Sequence, residues 1–258
     1  MTNAEPTQPE PTQPGGPQSE AHQSECAVAR KAELAANLDK VRDEIVRLAA
    51  AADREPPRLL PVTKFHPAAD LGLLAELGVT DVAENREQEA RAKAAELPQL
   101  RFHMIGQVQT KKANHVARWA ASVHSVDSEK LALALDRGVG RALEAGERST
   151  GLPVYIQVSY DGDTSRGGVE RGDVEKLART IEDCAHVSLR GLMVVPPLDA
   201  DAAEVFDTVR QLADALGQQL GRGMELSAGM SADMADAIAH GSDVVRVGTG
   251  IMGARPVA

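Results

Sequence analysis

From Leu59 onward, apolar runs of four to eight residues alternate with amphipathic stretches of ten or more, and this alternation limits the fold more than any other feature of the chain. Strands are expected over 59–64, 81–84, 101–105, 122–126, 153–159, 188–195, 224–227 and 244–247. Helices are expected between them, over 67–77, 86–96, 110–119, 129–144, 170–184, 201–216 and 231–240. Pro67 at a first helical position, and Ser231 as an N-cap with Asp233 in the first turn, supply start signals. The Gly-rich stretch 162–172 reads as a loop after the fifth strand. Strands that alternate with helices pair in parallel, joined by crossovers. Eight of them in this length point to an α/β protein built as one (β/α)8 TIM barrel, with an open doubly wound sheet as the structural alternative.

Seven helices fall between eight strands, and little chain follows the last strand. A further helix precedes the first. Leu34, Leu38, Val41, Ile45, Leu48 and Ala52 recur at alternating steps of four and three, up to Pro56-Pro57. This helix is expected to cover the place an eighth barrel helix would take. Residues 1–24 are different: rich in Pro, Gln, Glu, Ser, Thr and Gly, with no Leu, Ile, Val or aromatic residue before Val28. Too little apolar surface is available there to offset ordering entropy, so a disordered tail is expected, followed by one domain over 25–258.

The net charge of −10 argues against nucleic-acid or anionic-membrane partners. No apolar run reaches transmembrane length, and the N-terminus lacks the basic start and apolar stretch of a secretory signal. Cys26 and Cys184 stand far apart with no CxxC pattern. They argue against a cysteine-built zinc site, no metal site is expected, and a reducing, cytoplasmic setting is.

In a (β/α)8 barrel the chemistry stands at the C-terminal ends of the strands, and phosphate binds at the loops after the last two. Lys64 ends the first strand; its plain alternative is a surface lysine. Ser227-Ala228-Gly229-Met230-Ser231 follows the seventh strand, and Arg246-Val247-Gly248-Thr249-Gly250 spans the end of the eighth. Gly229 permits close backbone approach to a ligand, although an ordinary capped helix start would look the same. A lysine amine with two phosphate-cradling loops suits a phosphorylated aldehyde, and pyridoxal 5′-phosphate is such a cofactor. The run Gly248-Thr249-Gly250-Ile251-Met252-Gly253 matches GxGxxG, but the following helix, second strand and acidic residue of a dinucleotide site are missing, so NAD is rejected.

Three more residues sit at strand ends or within strands. Asn85 offers an amide to a ring hydroxyl, or else caps the next helix. His103 lies within the third strand on the same side as Ile105, as a ligand or as a structural histidine. Met193 is a packing residue at a strand end, suited to a cofactor face.

Val62-Thr63-Lys64, Glu84-Asn85-Arg86, His103-Met104-Ile105-Gly106, Gly191-Leu192-Met193, Leu226-Ser227-Ala228-Gly229-Met230-Ser231-Ala232-Asp233 and Val245-Arg246-Val247-Gly248-Thr249 occur in this order. In that order they resemble the pyridoxal phosphate homeostasis proteins, whose barrel is similar to the N-terminal domain of alanine racemase. The resemblance covers nearly everything after the tail. It implies that Lys64 bonds the cofactor's aldehyde carbon. Ser227, Gly248 and Thr249 would hold the phosphate, with Gly229 and Met230 close by. Arg246 would face the pyridine nitrogen, and Asn85 would lie near the ring. Ala83, Phe102 and Ala228 depart from the common Gly, Trp and Met of the family, and Arg166 from a common Lys after the fifth strand. Arg166 puts in doubt any cofactor transfer through a lysine there.

The resemblance implies a non-catalytic protein that binds the cofactor, maintains the intracellular vitamin B6 pool and passes the cofactor to apo-enzymes, acting as a monomer. The runner-up is an amino-acid racemase, which needs a second acid–base group opposite the lysine. In alanine racemases that group is a tyrosine from an added domain of the partner. This chain has only Tyr155 and Tyr160, both in or just after the fifth strand, and ends after the barrel. A lysine-dependent aldolase is a third possibility, disfavoured by Arg246.

Overall fold

A computed structural model describes residues 17–254, with side chains from residue 25. Its strands are β1 (Arg58–Pro61), β2 (Asp81–Glu84), β3 (Arg101–Met104), β4 (Ala120–Val126), β5 (Leu152–Ser159), β6 (Val169–Glu170), β7 (Val187–Val194), β8 (Glu225–Ser227) and β9 (Val244–Val247). All pairings are parallel, and the sheet runs β1-β9-β8-β7-β5-β4-β3-β2, with the two-residue β6 attached to β5. A bridge between Val62 and Ala83, with Thr63 N–H donating to Ala83 O at 3.0 Å, brings the two ends of that order together. The sheet therefore curls into an eight-stranded barrel, and the open-sheet alternative falls away.

The helices are α1 (Pro17–Ala51), α2 (Ala68–Glu76), α3 (Glu87–Glu96), α4 (Ala113–Trp119), α5 (Glu129–Glu144), α6 (Val174–Glu182), α7 (Ala202–Leu220), α8 (Met234–Ala239) and α9 (Thr249–Met252). Helix α1 takes the place expected of it. Leu34, Leu38, Val41, Ile45 and Ala49 are buried in one cluster with Leu71 and Leu74 of α2, Met234 and Ile238 of α8, and Val245 and Val247 of β9. Its start at Pro17 lies inside the segment expected as tail; the rest of that expectation, residues 1–16, lies outside the described residues.

Two boundaries differ for local reasons. Glu170, expected in a helix, pairs with Ser159 in β6, and a 3-10 turn at Arg171–Asp173 precedes α6. Helix α8 begins three residues later than expected. Met230 N–H donates to the Asp233 carboxylate at 2.5 Å, and this turn uses residues 230–233 before the helix starts. Asp233 thus occupies the N-cap position, and Ser231 is left for another purpose.

Alternation along the strands sorts side chains into two sets. Val82, Phe102, Val245 and Val247 point out into the helix layer, while Leu60, Val62, Ala83 and Val244 pack together inside. Among the described residues no helix is long and apolar enough to cross a membrane, and no cluster of metal-ligating side chains occurs.

Candidate functional site

A cavity of about 380 Å³ opens at the C-terminal ends of the strands. Lys64 and His66 line it from the β1 end, Asn85 from β2, and Met193 from β7. Met230, Ser231 and Ala232 follow β8, and Arg246, Gly248 and Thr249 come from β9 and its loop. Its size falls within the range of small-molecule sites. A larger, more open cleft of about 540 Å³ contains Arg54, Arg210, Asp214, Glu225 and Asp243. Arg210 there is paired with Asp214 and Asp243, and the cleft has no lysine, hydroxyl or aromatic group with which to hold a cofactor.

The backbone on both sides of Lys64 is tied down. Lys93 Nζ donates to Thr63 O at 3.0 Å, to Glu84 Oε1 at 2.6 Å and to Glu89 Oε1 at 2.7 Å. Thr63 Oγ1 donates to Glu84 Oε1 at 2.7 Å, and Phe65 N–H donates to Glu89 Oε1 at 2.8 Å. Burial pushes the Glu84 carboxyl above its ordinary value, opposed by Lys93 and Thr63. Phe65 has φ +70°, a left-handed backbone rare for a bulky residue, with the Arg86 guanidinium 4.9 Å above its ring. Such strain persists only where surrounding contacts over-determine it, and it gathers at functional sites. Here the Glu89 carboxylate and the Arg86 stack hold it.

The opposite wall is rich in hydroxyl and backbone groups. Ser231 and Thr249 face the cavity from two different loops, and a Cβ built on Gly250 would stand 3.4 Å from Ser231 Oγ, so the loops meet. Helix α1 fixes the second loop from behind: Arg30 Nη2 donates to Met252 O at 2.8 Å and Asn37 Nδ2 to Ile251 O at 3.1 Å. Arg246, between the walls, is almost fully buried; Nη1 donates to Ser227 Oγ at 2.8 Å and Nη2 to Val194 O at 2.9 Å. Burial pushes its guanidinium down to about 10, still charged at neutral pH. His66, buried beside Asp70 at 3.6 Å, is pushed down by burial, with Arg30 and Lys93 adding to the effect and Asp70 opposing it.

Seven of the expected residues (Lys64, Asn85, Met193, Met230, Arg246, Gly248 and Thr249) line this cavity. Three do not. Ser227 lies one strand position too deep: it is fully buried, and its hydroxyl is bonded to Arg246 and to His124 Nδ1 at 2.9 Å. His103 faces the barrel interior, its ring nitrogens bonded to Ser122 Oγ at 2.6 Å and Asp81 Oδ1 at 2.7 Å. Gly229, at φ +91°, faces α8, where a Cβ would meet Ala237 Cβ at 2.5 Å. Its carbonyl accepts from Arg246 N at 2.9 Å.

Val62, His66, Ile105, Val195 and Ser231 also line the cavity. Val62 and Ile105 were legible from parity, two residues before Lys64 and two after His103. Ser231 was hidden by its suitability as a cap.

The site suits a phosphorylated aromatic aldehyde. It offers a lysine amine, a buried cation, two hydroxyls and the thioether of Met193. Asn85, in the cavity wall, has a buried Oδ1 with no hydrogen-bond partner, an acceptor left over there. Arg166 lines an adjoining cavity of about 250 Å³ and is paired with Asp161 and Asp163.

The family model for the N-terminal domain of alanine racemase matches residues 36–256. A pyridoxal phosphate homeostasis protein of Corynebacterium glutamicum is 57% identical over 202 residues, covering 78% of this chain and 91% of the relative. Its counterpart in Mycobacterium tuberculosis is 43% identical over 243 residues, covering 88% and 94%. The structure of PipY from Synechococcus elongatus, with PLP bound, superposes with a TM-score of 0.73 at 35% identity, covering 85% of this chain and all of PipY.

Proposed function

We propose, for a chain that belongs to the alanine racemase N-terminal-domain family and to its pyridoxal phosphate homeostasis proteins, that it holds pyridoxal 5′-phosphate on Lys64 and maintains the free pool of that cofactor. The carrying observation is the single cavity that joins the Lys64 amine to the Ser231 and Thr249 hydroxyls across Arg246. The bound group would supply an electrophilic aldehyde carbon for the lysine amine. The protein does the rest. Ser231, Thr249 and the Ala232 and Gly248 backbone hold the phosphate, a charge-assisted arrangement that supplies much of the affinity. Asn85 Oδ1 would accept from the ring hydroxyl. Met193 would pack on the ring face, and the buried Arg246 would stand at the ring nitrogen.

A guanidinium there donates and leaves that nitrogen unprotonated, which makes the ring a poor electron sink. This supports holding rather than turnover. The positions of both tyrosines point the same way. Tyr155 is buried in the barrel, its hydroxyl bonded to Glu225, and burial raises its pKa. Tyr160 is bonded to Glu204 at 3.1 Å and lies against Arg171. Neither lines the cavity that holds Lys64; Tyr160 lines the adjoining one. Delivery of the cofactor to apo-enzymes by a monomer is part of this proposal.

The test is borohydride reduction of the full chain after incubation with pyridoxal 5′-phosphate, followed by peptide mass spectrometry. A pyridoxyl group on Lys64, absent in Lys64→Ala, is expected. Label spread over surface lysines, or none at Lys64, would refute the assignment.

A further inference from the structure

Beneath the cavity, six polar side chains from five strands form one unbroken row through the barrel. Arg246 Nη1 is 2.8 Å from Ser227 Oγ, which is 2.9 Å from His124 Nδ1. His124 Nε2 is 2.8 Å from Ser122 Oγ, which is 2.6 Å from His103 Nδ1. His103 Nε2 is 2.7 Å from Asp81 Oδ1. Among the described residues Arg246 hydrogen-bonds only the neutral Ser227 Oγ and Val194 O, while the Asp233 carboxylate acts on it through space.

The ends of the row fix the direction of every bond. A guanidinium only donates, and an ionised carboxylate only accepts. Burial alone would raise the Asp81 carboxyl, but hydrogen bonds from His103, Arg101 and Thr80 outweigh it and hold it well below the usual range. Ser227 accepts from Arg246, so its own proton goes to His124 Nδ1. His124 is fully buried and neutral, burial holding its pKa well below the ordinary value. Its single proton therefore sits on Nε2 and goes to Ser122. Ser122 in turn donates to His103 Nδ1, and His103 donates from Nε2 to Asp81. Each serine accepts once and donates once. In the opposite order Ser227 would accept from both His124 and Arg246, and its own proton would have no acceptor among the described contacts.

We propose that Asp81, at the far end of the barrel from the cavity, is a hydrogen-bond-relayed counter-charge of Arg246, beside the through-space Asp233, and a positioning residue for the bound ring. The one-way row of Ser227, His124, Ser122 and His103 delivers its polarity to the guanidinium. A buried cation without compensation is costly, and aligned hydrogen bonds in a low-dielectric interior polarise one another. The row also turns the two guanidinium donors used here away from the cavity, so its remaining N–H groups are presented to the ring at a fixed angle. Tyr155 stacks on His124 with centroids 4.0 Å apart and keeps that ring from rotating. The charged groups around the far end are Arg101, 2.7 Å from Asp81 Oδ2, and Arg58, paired with Glu225. The identity of the ring rests on the cofactor reading above; the direction of the row does not.

Long-range 1H–15N correlation spectra of the ligand-free, 15N-histidine-labelled full chain read the tautomers directly, with His103→Gln and His124→Gln for assignment. Both rings are expected to carry a proton on Nε2 and to leave Nδ1 as an acceptor. An Nδ1–H tautomer or an imidazolium at either position would overturn the proposal. Titration with pyridoxal 5′-phosphate gives a second readout. Asp81→Asn is expected to bind about tenfold more weakly, within the range of coupling between separated sites, with a shifted absorption maximum of the bound cofactor. Arg101→Gln, which removes only an exposed partner of Asp81, is expected to stay within about twofold. Unchanged affinity and absorption in Asp81→Asn would overturn the proposal. Should Asp81→Asn fail to fold, the tautomers of the unmutated chain decide alone. If the unmutated chain does not bind the cofactor, the cofactor reading falls while the tautomers still test the row.

Discussion

Lys93→Met removes the cation that the Lys64 seat is built around. Lys93 is 7% exposed at its side chain and Glu84 is 0% exposed, and three acceptors (Glu84, Glu89 and the Thr63 carbonyl) each lose one donor together, the two carboxylates losing their cation. Breaking a buried pair by deleting one partner costs about 3–5 kcal/mol, because the remaining charge is stranded. That is a large part of the 5–15 kcal/mol or so that holds a typical domain folded. For a chain of this size it corresponds to a fall in Tm of roughly 6–20 °C. Urea and thermal unfolding of the ligand-free protein measure it.

The pH dependence identifies the cause. The folded-state pKa of Glu84 is raised by burial, so the stability linked to its neutral form is fully present below the unfolded value and lost as pH rises through the folded value. Deleting Lys93 raises that pKa further. The deficit of the variant should therefore widen towards neutral pH and narrow as pH falls towards the ordinary glutamate value of about 4.3. Glu84→Gln in the Lys93→Met background should recover part of the loss. A deficit below about 1 kcal/mol, as for exposed pairs, or one independent of pH, would refute the reasoning.

Two further outcomes follow from the cavity. Ser231→Ala with Thr249→Ala should weaken pyridoxal phosphate binding by about 10²-fold, two charge-assisted hydrogen bonds at about 1.5 kcal/mol each, with little change in ligand-free Tm, as read by equilibrium dialysis and thermal unfolding. Gly106→Ala would place a methyl group 2.1 Å from the Asn85 carbonyl oxygen, so the β2 and β3 ends must separate. A loss of about 3 kcal/mol in urea unfolding is expected, with weakened cofactor binding, and a neutral result would show that the strand ends yield easily.

Much of the barrel was legible because the physics that sets it is local. The 81–84 and 244–247 strands and the 129–144 helix coincide with β2, β9 and α5. The amphipathic period of α1, with no unpaired place left between strands, led to its position over β1 and β9. Lys64, Asn85, Met193 and Arg246 could be placed at strand ends by counting alone. Ser227 and Ser231 could not be told apart that way. Both are serines in one loop motif, and which one faces the ligand depends on where the barrel interior gives way to its mouth.

The sequence by itself determined the parallel α/β order, the covering helix and the lysine at the first strand end, since hydrophobic period and turn residues act over a few neighbours. Only the tertiary structure decided that Ser231 replaces Ser227 in the cavity wall, that Lys93 seats the lysine, and that Asp81 is joined to Arg246 through the barrel. Those outcomes depend on which side chains from strands far apart in the chain share one buried layer, and closure of the barrel sets that register.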